Sequence, residues 1–212
     1  MRMQAAPLLV LLAPLILTDL LSAQAGAPAM SRPVGLQVRL DAPATDSTHG
    51  VTRMPPGWHV TMGPGALLYD SLHSASGRFS VESEIFVFPN SKEEDYGIVL
   101  GLAGDSWTGF LARPDGWAGV VRHENGAVVP VVDWAAVDSV PRAGGAGPVR
   151  AVLRVDAESD SIRFHVNGGL VASLPRATAA VDGMFGLRVG RGINAHVSRL
   201  DLIRHLAPAA GE

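Results

Sequence analysis

The sequence predicts an all-β protein, an antiparallel β-sandwich, on three observations. Apolar and polar residues alternate with period two in short runs between Leu36 and Ile203. Gly, Pro, Asp and Asn interrupt those runs at roughly ten-residue spacing. No window of about eleven residues or more carries a helical apolar face. Many short strands separated by turn signals leave a sandwich or a barrel as the architecture.

The elements follow in order. Residues 26–33 (GAPAMSRP) are small and Pro-rich, the composition of a linker. Leu36, Val38 and Leu40 share one face of a first strand. In GWHVTM, Trp58, Val60 and Met62 alternate toward the core, with His59 and Thr61 opposite. The run from Arg78 to Phe88 sets Phe79, Val81, Ile85 and Val87 against Ser80, Glu82 and Glu84. Strands are then expected in YGIVLGLA from Tyr96, WTGFLAR from Trp107, WAGVVR from Trp117 and AVVPVVDW from Ala127. VRAVLRVD from Val149, SIRFHV from Ser161 and GLVASL from Gly169 come next. MFGLRVG from Met184 and HVSRLDLI from His196 complete the set.

Pro114-Asp115-Gly116, Glu124-Asn125-Gly126, Asn167-Gly168 and Asp182-Gly183 supply residues that tolerate positive φ, as tight turns require. In the last strand Val197 fits one alternation and Leu200 and Leu202 the other, so a β-bulge is expected near Ser198–Arg199. Residues 138–148 (DSVPRAGGAGP) form the longest irregular stretch, expected as a mobile surface loop.

Composition narrows the setting. Arg2, an apolar run from Leu8 to Leu17 and Ala23-Gln24-Ala25 have the layout of a secretory signal peptide over residues 1–25. The run is about half what a bilayer span needs, and an uncleaved N-terminal anchor is the competing reading. With the signal removed, a linker (26–33), one β-sandwich domain (34–206) and a short tail (207–212) remain, without a membrane span. A secreted or periplasmic location is therefore expected. The 212-residue chain has no Cys, so no disulfide framework supports the fold. The net charge of −3, without any basic stripe, argues against nucleic-acid partners. All basic residues but Lys92 are Arg, the usage of a GC-rich genome, with selection for guanidinium contacts to ligand hydroxyls or carboxylates as the alternative.

The segment IRFHVNGGLVASLP, followed by VDGMFGLRVGRGINAHVSRLDL, resembles the C-terminal half of concanavalin A-like (laminin-G-like) lectin/glucanase domains. In those domains a V-N-G hairpin, a D-G-x-x-G-L-R strand and a closing strand complete a jelly roll. YGIVLGLAG and FLARPDGWAGVVR resemble the family's middle strands, including those of its bacterial 3-keto-disaccharide hydrolase-like members. The likeness runs from Trp58 to Ile203. It implies two sheets, about twelve to fourteen strands and a bacterial protein. It leaves function open among lectins, glycan-cleaving enzymes and adhesion modules.

Glycan hydrolysis needs two carboxylates flanking the scissile bond. The family's E-x-D-x-x-E pattern is missing, and the nearest pair is Glu82 and Glu84 in VESEIF, which a solvated strand face also explains. There is no G-x-S-x-G elbow for a nucleophile, and the histidines lack metal-ligand spacing. The family resemblance raises calcium at a sandwich rim, with Asp95 and Asp105 as candidate ligands.

Sugar binding needs an aromatic ring for the apolar pyranose face and polar side chains for the hydroxyl rim. Trp107, Trp117 and Trp134 supply the rings, and Arg113, Arg122, His165, Arg188, Asn194 and His196 the polar groups. Packing of two of these Trp in the core or rim is the alternative. His165 and His196 are expected to share a sheet surface on neighbouring strands. The first expectation is an exported, non-catalytic, lectin-like module binding a glycan or oligosaccharide. The alternatives are a glycoside or keto-disaccharide hydrolase and an adhesion domain with a protein partner.

Overall fold

The computed structural model describes residues 34–43, 49–89, 91 and 93–205. The expected signal peptide (1–25), linker (26–33) and tail (207–212) lie outside the described residues. Among the described residues, fourteen strands pair antiparallel in two sheets of seven. They are β1 (Leu36–Leu40), β2 (Gly50–Arg53), β3 (Trp58–Thr61), β4 (Ala66–Ala75), β5 (Phe79–Val87), β6 (Tyr96–Ala103) and β7 (Ser106–Ala112). The chain continues through β8 (Trp117–Glu124), β9 (Ala127–Ala136), β10 (Val149–Ala157), β11 (Ser161–Val166), β12 (Gly169–Pro175), β13 (Gly183–Val189) and β14 (Asn194–Arg204).

One sheet runs β1-β4-β13-β6-β7-β8-β9, and we call it the first sheet. The second sheet runs β12-β11-β10-β5-β14-β3-β2. Between them one apolar cluster takes residues from both, Leu68, Ile98, Phe110, Val120 and Leu187 from the first and Phe79, Val81, Ile85, Leu153 and Phe164 from the second. The Phe110 and Phe164 rings meet edge to face across this core, with centroids 5.9 Å apart.

The turn chemistry operates as read. Asn125 and Asn167 have φ of 53° and 48°, each followed by a Gly at positive φ. At β11–β12 this gives the two-residue turn that hairpins favour. The slip in β14 is a register shift between Val197 and Arg199 against β5. There the Arg199 carbonyl accepts a 2.9 Å hydrogen bond from Ser83 Oγ, which satisfies a hydroxyl buried on the core side of β5.

Two expectations need correction. Residues 138–148 are not free over their first half: Val140 is buried in the core, and the Ser139 carbonyl accepts from Asn167 Nδ2 at 3.1 Å. Ala143 N and Arg142 Nε donate to the carbonyls of Pro114 and Asp115. Polar and Gly-rich sequence does not exclude such ties, because they run through backbone groups. Strands β2 and β4 fall outside the runs expected from alternation. In ALLYDSLHSA the first turns of the pattern are continuously apolar, Ala66, Leu67 and Leu68 being buried from both faces.

Candidate functional site

The outward face of the first sheet carries a second apolar cluster of Leu67, Val99, Leu102, Trp107, Leu111 and Val121. Tyr69, Trp134 and Met184 pack over it. Alternation explains the split: in β7, Phe110 and Ala112 enter the main core, and Trp107 and Leu111 point the other way. Glycines make room for the rings. A Cβ at Gly109 would meet Trp107 Cζ3 at 2.8 Å, and one at Gly119 would meet Trp134 Cδ2 at 3.2 Å.

A hollow of about 340 Å³ opens on this face, lined chiefly by Arg39, Asp41, Asp95, Asp105, Trp107, His123 and Arg188. Trp107 is 7% exposed and forms wall rather than platform. Its ring stacks on His123, centroids 5.2 Å apart and planes within 3°. His123 Nδ1–H donates to the Asp105 carbonyl at 2.6 Å. A carbonyl only accepts, so Nδ1 carries a proton, and the neutral form of the ring then has Nε2 as its acceptor.

Arg188 spans the hollow's acidic side, donating from Nη1 to Asp41 Oδ1 at 2.7 Å and from Nε to Asp95 Oδ1 at 3.2 Å. Burial works against its charge, but the hydrogen bond to Asp41 and the charge of Asp95 outweigh it and hold the guanidinium more firmly protonated than usual. Arg39 donates to the Gly104 carbonyl and lies 3.8 Å from Asp105 Oδ1. Two guanidiniums thus face three carboxylates, and the site does not attract anions.

Along the same face, the Arg113 guanidinium covers Trp134 at 3.9 Å from the ring centroid. Trp117 stands 40% exposed at the far end of β8, six residues from His123, roughly 20 Å along an extended strand. The sheet therefore gathers Trp107, Arg113, Trp117, Trp134 and Arg188 from the sequence candidates. It adds Arg39, Asp41 and His123, which sequence reasoning passed over. His123 was within reach, sharing the phase of Trp117 and Gly119 in β8. Asp41 carries no periodic signal, since it lies just past β1.

The other candidates lie elsewhere. Arg122 pairs with Thr108, in the phase opposite to Trp107 and His123, and sits 3.0 Å from Glu124. His165, Asn194 and His196 belong to the outward face of the second sheet. His165 is on β11 and His196 on β14, with β10 and β5 between, so they are not on neighbouring strands as expected. Asp95 and Asp105 do line one hollow, but Arg188 holds the first and Arg39 and His123 adjoin the second. Among the described residues no group of three or more His, Cys, Asp or Glu is placed to hold a metal ion.

Glu82 and Glu84 also face outward from the second sheet, across the sandwich from the hollow. Glu82 is bonded by Arg199, with Arg154 3.5 Å away, and Glu84 by Arg150 and by Ser198 Oγ at 2.6 Å. The Ser198 and Arg150 hydrogen bonds hold the Glu84 carboxyl below the usual glutamate range. A general acid needs the opposite shift.

One Ser–His–carboxylate contact occurs nearby: Ser80 Oγ is 2.9 Å from His205 Nε2, and His205 Nδ1 is 3.5 Å from Glu158. Ser80 is fully buried, its hydroxyl donates to Asp156 at 2.5 Å and its oxygen accepts from Arg154 Nη2 at 3.2 Å, so it is not open to a substrate.

No protein-family model and no curated protein matches the chain. Solved structures do. The carbohydrate-binding module CBM66 from Bacillus subtilis superposes with a TM-score of 0.63 at 14% identity, over 80% of this chain and 96% of the module. A Bacillus subtilis protein of unknown function with a galectin-like fold gives 0.60 at 8% identity, over 79% and 88%. The GH43 protein BlXynB from Bacillus licheniformis gives 0.54 at 14% identity, with 83% of this chain covering only 38% of that one. The fold is accordingly a jelly-roll sandwich of the concanavalin A-like and galectin type. None of these three is described as a 3-keto-disaccharide hydrolase, so that narrower resemblance rests on the sequence motifs alone.

Proposed function

We propose that this protein is an exported, non-catalytic carbohydrate-binding module that takes a neutral glycan on the outward face of its first sheet. The observation that carries this reading is the hollow itself. A stacked Trp107–His123 wall and five charged side chains converge on one open sheet surface. His123 Nε2 and the carboxylates accept from sugar hydroxyls, and the guanidiniums donate to them. Fixed mutual contacts among these groups reduce the entropy lost on binding. Trp117 and the Arg113–Trp134 pair extend the surface beyond one sugar unit. The carbohydrate-binding module among the structural neighbours agrees with this reading. Weighing against the hydrolase reading, Glu82 and Glu84 are held by Arg199 and Arg150 on their own sheet, across the sandwich from the hollow.

A glycan array probed with and without calcium tests the proposal. Binding of at least one neutral glycan is expected, reduced at least tenfold by His123→Ala or Asp105→Ala and unaccompanied by cleavage. Trp117→Ala is expected to weaken oligosaccharides and leave monosaccharides unchanged. Binding that needs calcium would assign an ion to Asp95 and Asp105. Turnover of the bound glycan would replace the module by an enzyme. A blank array, with a protein retained instead, would make this an adhesion domain.

A further inference from the structure

On the outward face of the second sheet, β3 and β14 pair in register, His59 opposite His196 and Thr61 opposite Asn194. Directly opposed side chains in an antiparallel pair have Cβ atoms about 4.5–5.5 Å apart. His59 Nδ1, His196 Nδ1 and Asn194 Oδ1 are shut off from solvent without a well-directed hydrogen bond, and the Asn194 side chain stands within reach of the His59 ring. Leaving such an atom unpaired costs about 1–3 kcal/mol. Two opposed imidazoles with an amide oxygen beside them form a set that one cation can satisfy together. An imidazole in the tautomer protonated at Nε2 presents its Nδ1 lone pair, and the amide oxygen presents its own.

We propose that His59, His196 and Asn194 form a binding site for a divalent transition-metal ion of the zinc, nickel or copper class. Imidazole nitrogen selects such borderline ions over calcium or magnesium, which prefer an all-oxygen shell. Zinc–nitrogen bonds of about 2.0–2.1 Å put two ligating nitrogens roughly 3.3 Å apart, within reach of an opposed pair. The ligands are held firmly. Asn194 exchanges hydrogen bonds with Ser91 Oγ through its carbonyl (3.0 Å) and its N–H (3.1 Å), and its carbonyl also accepts from Phe88 N at 2.9 Å. The His59 ring lies edge-on to Phe88 with centroids 5.4 Å apart, and the His196 ring lies beside Phe86 at 6.3 Å. Two nitrogens and an amide oxygen leave coordination positions for water, so the site is open, unlike a closed four-ligand structural centre. It lies on the other sheet from the glycan hollow and stands or falls independently of it.

The test is calorimetric titration of the full chain with zinc chloride and with nickel chloride in a non-chelating buffer. One ion per chain is expected to bind, and His59→Gln and His196→Gln are each expected to lower the affinity at least tenfold. His123→Gln and a large excess of calcium are expected to leave the affinity for zinc and nickel unchanged. Paramagnetic broadening of the His59 and His196 ring resonances by nickel gives the same answer in the unsubstituted chain, should a variant fold poorly. No saturable binding would overturn the proposal and place an Asn194 amide N–H on the imidazoles instead. Binding that survives in both variants, or that is lost with His123→Gln, would overturn it equally.

Discussion

Asp156 shows how a single carboxylate on the second sheet is held. It accepts from Ser80 Oγ at 2.5 Å and from Arg154 Nε at 2.8 Å, and His165 Nδ1 stands 3.6 Å away. Burial raises its pKa, but the Ser80 and Arg154 hydrogen bonds and the neighbouring positive charges outweigh this and bring it below the ordinary 3.8. A depressed folded-state pKa means the native form binds the proton less readily than the unfolded chain. The stabilisation is then complete above about pH 3.8 and is lost as pH falls through the lower native value. Asp156→Asn should therefore melt below the parent at pH 7, with the gap closing below about pH 4. A gap that stayed constant down to pH 3 would show that the charge of Asp156 contributes nothing.

The β11–β12 hairpin shows what an element adds to its residues. Asn167 turns the chain at φ 48°, and its side chain also reaches back into the sheet and the 137–140 loop. Oδ1 accepts from Val152 N at 2.9 Å, and Nδ2 donates to Ser139 O at 3.1 Å. Asn167→Gly relaxes the left-handed backbone but removes both bonds and strands a backbone N–H. The expected loss is about 1–3 kcal/mol, read as a lower melting temperature and faster amide exchange at Val152. An unchanged Val152 exchange rate would mean that the turn acts alone. The hairpin itself was legible from Asn-Gly between alternating runs, as were the inward faces of β5 and β14 and the bulge in β14, because each follows from a local period of two. The tie from Asn167 to Ser139 was not, since residues 28 apart in sequence are brought together only by packing. The hollow was partly legible in the same sense. Trp107 and Arg188 carried polar or aromatic phases of their own strands, but Asp41 joins Arg188 only because β1 and β13 flank β4. Alternation also places Glu82 and His196 on outward phases without revealing which of the two outward faces each occupies.

At the scale of the whole molecule the two outward faces share one core. The hollow and the histidine pair lie on different sheets, yet both rest on the single cluster in which Phe110 and Phe164 meet. Among the described residues the second sheet has no apolar cluster apart from the shared core, and the first has only the small outward one around Trp107, so neither sheet is expected to persist when the other opens. Three of the four Trp (Trp107, Trp117 and Trp134) sit on the first sheet, and Phe164 sits on the second. Phe164→Ala removes a fully buried ring and is expected to cost about 3–5 kcal/mol. If the sandwich unfolds as a unit, the transition seen by tryptophan fluorescence moves down by as much as that seen by far-UV circular dichroism. Placing the variant in a Trp58→Phe background confines the fluorescence to the first sheet and makes the comparison strict. A fluorescence transition that stays at the parent temperature while the dichroism shifts would split the molecule into two independent layers. The face that carries the hollow would then be able to survive the loss of its partner sheet, an outcome that dependence on the shared core forbids.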